Sequence, residues 1–324
     1  RSSDLFYAFV IFGIGLLSLQ TDFKLIVILM IIAFTASATQ DIAVDAFAIL
    51  VLRKNERSLG NSIQSAGSFV GSLMGTGVLL IAYHYFGWQN LLWLLAAGVL
   101  FVIIPLPYFR RKNPIEKVGS EKTTIKAIKT FFQQKNIYKR VLLLAFYYSG
   151  IIGTLAMLKP YMVDLGYSVK EIGIMSGIFG TSVAAGASFL GGFVQKQIGR
   201  RKSLFLFALV NLFTALWFIG ISTGTPNTWM LYVAIAMLWG GYGLASVVIY
   251  TTSMDLVRPG KEGTDFTLQI VITHLSGIIF AVISGKIGSL LGYTGLFTME
   301  AIFCLTALII VFFILKNNND YANI

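Results

Sequence analysis

The chain has one cysteine and two histidines, and only 12% of its residues are charged. The lone thiol, Cys304, excludes an internal disulfide, so nothing in the sequence reports an oxidising compartment. His84 and His274 lie on separate apolar runs, no cluster of side chains has metal-ligand spacing, and no nucleophile stands beside a base as a hydrolase requires. There is also no GxxxxGK[ST] loop through which ATP could drive work. Catalytic residues, metal sites and cofactors are therefore all expected to be absent.

What fills the space is hydrocarbon. Hydrophobic residues make up 56% of the chain and mean hydropathy is +0.78, the composition of an integral membrane protein. The net charge of +11 does not point to nucleic acid, because the basic residues sit in short segments between apolar runs, where they orient a membrane protein. Runs long enough to span predict an all-α polytopic fold of ten helices, at 4–20, 25–51, 61–84, 90–108, 140–163, 169–195, 202–222, 228–252, 264–287 and 294–315. With the start cytoplasmic, 21 of the 25 basic residues fall in loops on that face, leaving only Lys24, Lys159, Lys170 and Lys286 toward the other. That asymmetry predicts both ends of the chain inside.

The hydrophilic stretch from Arg110 to Lys139 divides the chain into a first part, 1–109, and a six-helix part, 140–316, followed by a tail at 317–324. Within the linker, TIKAIKTFF puts Ile125, Ile128 and Phe132 on one side and Lys126 and Lys129 on the other, the pattern of a helix lying on an anionic membrane surface. A solvated linker with incidental periodicity is the alternative. Sliding the chain by 205 positions superposes Arg53 on Arg258, Gln64 on Gln269, Leu91 on Leu296, and Gly87–Trp88 on Gly292–Tyr293, with agreeing helix boundaries. Parallel six-helix repeats characterise one large transporter architecture. On the same offset the first part lacks partners for the helices at 140–163 and 169–195, which predicts a twelve-helix fold without its first two helices.

GGFVQKQIGRRKS, Gly191 to Ser203, resembles the loop signature of the major facilitator superfamily, with Gly192, Gly199, Arg200 and Arg201 as its gating and structural positions. Lys196 stands where that signature has an acid, which removes the usual charge partner of a neighbouring helix. The run ATQDIAVDA, the basic turn RKNERSLGN, the helix GSFVGSLMGTG and GTDFTLQ together resemble the AmpG-like permeases, a group of muropeptide importers, siderophore importers and acetyl-CoA transporters. The resemblance implies a monomeric secondary transporter of the bacterial inner membrane, a small polar solute and protons as partners, and no enzyme activity. Muropeptide and siderophore import remain open as alternatives, as does a receptor or sensor that uses the scaffold without moving anything.

Asp41 and Asp45 are four apart on one helix face. Asp41 lies ~24 Å along its helix from Leu25 at ~1.5 Å per residue, inside the bilayer. A carboxylate there costs several kcal/mol unless paired, hydrated or protonated, so Asp41, Asp45 and the adjoining Gln40 are candidates for proton coupling or substrate binding. The competing reading is a salt bridge that shuts the inner gate, with Arg53 as the partner of Asp45. His274, ~15 Å into its helix, either switches charge at the midplane or hydrogen-bonds a neighbour. Gln64 and Gln269 either grip a polar ligand or join helices. Lys159 with Asp164, and Lys286 with Glu300, flank the outer ends of helices and read as interfacial ion pairs; Lys159 and Glu300 are further transport candidates. Gly67, Gly71 and Gly75, like Gly173 and Gly177, recur every four residues and predict close helix packing. Gly240, Gly241 and Gly243 predict a bend. Trp93, Trp217 and Trp239 read as interfacial anchors or as platforms for sugars.

Overall fold

In the computed structural model the described residues are 2–75, 79–104 and 125–316. Their elements are α1 (Ser2–Ile14), α2 (Phe23–Val51), α3 (Arg57–Leu73), α4 (Leu79–Ile103), α5 (Ile125–Phe132), α6 (Ile137–Phe146) and α7 (Ser149–Asp164). There follow α8 (Val169–Ile172), a π-helical stretch (Gly173–Gly180), α9 (Thr181–Ile198), α10 (Arg200–Ser222), α11 (Thr228–Asp255) and α12 (Glu262–Lys316). Seven helical runs among the described residues are long and apolar enough to cross a membrane. The longest has 53 residues; at ~1.5 Å per residue that is more than twice a ~30 Å hydrocarbon core. It is two spans, broken at Gly292, whose φ of 67° only glycine adopts at low cost. α4 breaks in the same way at Gly87, with φ of 71°. Both turns fall where the 205-residue offset aligns Gly87 with Gly292. The linker segment 105–124 and the tail 317–324 lie outside the described residues.

In lipid the apolar surface of one helix gains nothing by leaving hydrocarbon, so shape and close contact hold the bundle together. The densest packing surrounds α11, whose Leu231, Ala234, Ile235 and Leu238 are fully buried against Leu158, Met162, Phe218 and Phe297. A smaller cluster of Val10, Ile14, Ile26, Ala33 and Leu92 joins α1, α2 and α4. α3 packs on α9 and α11 and so connects the two groups.

The glycines do other work than their spacing suggests. A methyl group at Gly67, Gly71, Gly75, Gly173 or Gly177 would meet nothing within 4 Å, so these stripes are not packed. Close approach occurs instead at Gly180 against Trp239, Gly192 against Ser62, Gly241 against Asn211, and Gly243 against the Ala184 carbonyl. The bend expected in α11 is correspondingly missing: the helix runs unbroken from Thr228 to Asp255, and its glycines admit neighbours. The irregular backbone is the π-helical stretch before α9, where the Thr181 hydroxyl donates to the Gly177 carbonyl.

α5 forms where the sequence places it, but it is fastened to protein. Ala127 and Phe131 are buried, while Ile128 and Phe132 stay exposed. Arg258 donates to the Thr130 hydroxyl (2.8 Å) and the Ala127 carbonyl (3.0 Å), holding the helix against the start of α12.

Candidate functional site

A cleft of about 190 Å³ opens between α7, α11 and α12. Its wall carries Tyr148, Tyr242 and Tyr250, with Thr273, His274 and Gly277 from α12. Three phenols in one wall present apolar faces and hydroxyl tips together, suited to a solute that is part ring and part hydrogen-bonding group. His274 is therefore in the cleft. The tyrosines were not among the expected residues, because an isolated Tyr in an apolar run reads as packing until the fold brings three together.

Apart from this cleft, α2 carries the carboxylate pair. The Gln64 amide donates to Asp45 Oδ1 at 2.9 Å, so α3 supplies the partner of Asp45. Arg53 does not: its own backbone N–H donates to Glu56 (3.0 Å). Asp41 has no hydrogen-bond or salt-bridge partner among the described residues and is exposed. Neither carboxylate is among the side chains that line the cleft. Gln40 is half-buried one residue before Asp41. Gln269, the repeat mate of Gln64, is fully buried elsewhere; its amide donates to the Ser253 and Asp265 carbonyls at 3.1 Å each and joins α11 to α12. The two glutamines share an alignment position and do different jobs.

At the end bearing the basic loops the two groups of helices meet tightly. Asp255, at the end of α11, receives Arg57 from α3 at 3.0 Å and Arg200 from the start of α10 at 2.6 Å. Arg57 also donates to the Ile49 and Met254 carbonyls, and Arg200 to that of Lys54. Asn61 reaches Thr251 (3.4 Å), and Ile49 packs with Met254 and Phe266. The loop signature thus has a charge partner although Lys196 replaces its acid: Arg200 of the signature uses Asp255. Gly199 (φ 83°) turns the chain into α10, and Arg201 is half-buried beside it. Further along α3 and in the π-helical stretch the glycine stripes face no neighbour within 4 Å.

Other expected contacts are rearranged. Asp164 accepts from the Tyr293 hydroxyl (2.6 Å), not from Lys159, which is exposed. Glu300 forms no ion pair with Lys286; it is fully buried inside the second group, eight residues past the Gly292 break, a depth that counting from a loosely placed turn had hidden. Trp239 meets Phe69 edge-on across the groups, Trp217 donates to the Met230 carbonyl, and Trp93 stacks on Phe12, so all three are packing residues rather than free anchors.

Two broken helical repeats, a carboxylate pair within an apolar helix and a cleft within the second group of helices fit a multi-pass membrane transporter. The sequence matches the Major Facilitator Superfamily over residues 5–281 and again over 153–322, and the chain belongs to that family. It is similar to the putative transporter AmpG 4 of Rickettsia conorii, at 25% identity over 86% of this chain and 69% of the relative. It is also similar to the anhydromuropeptide permease of Escherichia coli K12, at 23% identity over 84% of this chain and 56% of that protein. Among solved structures, the transporter FucP in its outward conformation superposes with a TM-score of 0.72 at 12% identity, covering 96% of this chain and 82% of that one. The likeness to FucP concerns the fold. Members of this kind move small molecules and are not enzymes.

Proposed function

We propose that this protein is a proton-coupled importer of a medium-sized polar solute of the muropeptide class across the bacterial inner membrane. The observation that carries the reading is the Asp41–Asp45 pair within the long apolar helix α2, with Gln64 fixing one carboxylate and the other left to water, solute or proton. An unpaired acid at membrane depth is costly, and protonation is the cheapest way to carry it through a conformational change. The tyrosine wall suits sugar rings, and relatives named as muropeptide permeases support the same class. With the basic-loop end taken as cytoplasmic, its closure would leave the site to be reached from outside, and the first group of helices and the six-helix group would rock about the α3–α9 contact. The test is uptake of an anhydromuropeptide into proteoliposomes under an imposed pH gradient. Accumulation should follow the gradient and be lost in Asp41→Asn; pH-driven accumulation that survives this substitution undamaged removes the coupling role of the pair. Uptake of a ferric siderophore in place of the muropeptide, or binding without any uptake, would replace the solute or the transport reading respectively.

A further inference from the structure

Glu300 has no solvent exposure, as has Asp265, but Asp265 is paired with Arg258. Glu300 stands where three segments touch: its own, after the Gly292 break; the segment before that break, through Ser284; and α7, through Gly150 and Gly153. The groups that face it are the Ser284 hydroxyl and the glycine backbone of α7, with the Cys304 thiol one turn on along its own helix, while Leu212, Ala215 and Ile219 of α10 pack around the adjoining Ala301 and Cys304. Among the described residues no cation is bonded to it, and Glu300 Oε2 has no partner.

Burial without a cation points to its state. An ionised carboxylate held out of water, with one oxygen unpartnered and no cation bonded to it among the described residues, costs far more than the neutral acid. The Ser284 hydroxyl, which donates to the Phe280 carbonyl or to Glu300 Oε1, serves either form: it can donate to the carboxylate or accept from the protonated acid. The geometry is also wired to the cleft. Ile152 of α7 and Gly277 and Ala281 of α12 line the cleft, while Gly153, the residue after Ile152, and Ser284, three residues after Ala281, clamp the carboxyl from behind.

We propose that Glu300 is a second proton-carrying residue, holding a proton in this conformation and giving it up when α7 and α12 shift around an occupied cleft. On that shift Gly153 moves off the carboxyl, water enters, and the proton passes from the Glu300 oxygen to that water, leaving a carboxylate. Gly153 has no side chain because any Cβ there would collide with Glu300 Oε1 and Ser284 Oγ.

The proposal rests on the transporter reading, and the test separates the two. Infrared difference spectra of the reconstituted protein at neutral pH should show the carbonyl stretch of a protonated carboxylic acid, absent in Glu300→Gln and diminished in Gly153→Ala. Glu300→Gln keeps the neutral shape, so it should exchange anhydromuropeptide down its gradient while accumulation against the gradient falls at least tenfold. A band unchanged in Glu300→Gln, or full uphill accumulation by that variant, overturns the inference. An intact Glu300 band in a protein that takes up nothing would uphold the proton site and overturn the transporter reading instead.

Discussion

Asp255 accepts guanidinium groups from two directions, and the three charges are each largely shielded from water, with side-chain exposures of 12–18%. Removing the acid leaves two partly buried cations facing each other, whereas removing one arginine leaves an ion pair. Hydrogen bonds to charged groups contribute about 1.5–3 kcal/mol each. Asp255→Asn should therefore loosen the basic-loop end by about 2 kcal/mol, more than tenfold in the population of the closed form. Labelling of a cysteine placed at Ser58, buried under α9 in this conformation, should rise accordingly, and unchanged labelling would show that this triad does not hold the end shut. The carboxylate pair makes a narrower prediction. Gln64→Leu removes the only hydrogen bond that Asp45 makes among the described residues, so uptake should fall while thermal stability stays within about 1 kcal/mol, because the exposed carboxylate regains water.

At the scale of elements, the two kinds of glycine should respond in opposite ways. Gly192→Ala drives a Cβ into Ser62 and the Ser58 carbonyl, a backbone contact that cannot swing aside, and should cost about 1–3 kcal/mol in thermal unfolding. Gly71→Ala fills open space and adds a better helix former, so this conformation should be unchanged or slightly firmer. If α3 and the π-helical stretch close upon each other in the transport cycle, the same methyl should slow uptake without lowering the melting temperature. The helices themselves were legible because a long apolar run in lipid has only one backbone solution. The turns at Gly87 and Gly292 were legible because a repeat offset marked them. Which glycines pack was not, since four-residue spacing fixes a stripe on one helix and says nothing about whether a neighbour is there. The site was half legible. Asp41 and Asp45 stand out as charges in hydrocarbon, whereas the Tyr148, Tyr242 and Tyr250 wall, Asp255 as the hub and the depth of Glu300 depend on helices 55 or more residues apart coming together.

For the whole molecule, the decisive feature is that the groups of helices are joined at the basic-loop end by a few discrete contacts. Rocking needs an interface that is firm in each state yet small enough to be exchanged, and the contact here is a set of discrete locks: the Asp255 triad, Asn61 at 3.4 Å from Thr251, and the patch of Ile49, Met254 and Phe266. None lies in the cleft, so the locks can be tested without touching the solute site. Cysteines at Asn61 and Thr251 should cross-link under mild oxidation, since those side chains already approach and the native Cys304 is buried away from them. The bond would hold the basic-loop end closed, stopping uptake while leaving the cleft able to bind from the opposite side, and a reductant should restore transport to the level of the unoxidised variant. Uptake that continues through the cross-link would mean that the solute leaves by a route other than separation of these two groups, and alternating access by rocking would have to be abandoned for this chain.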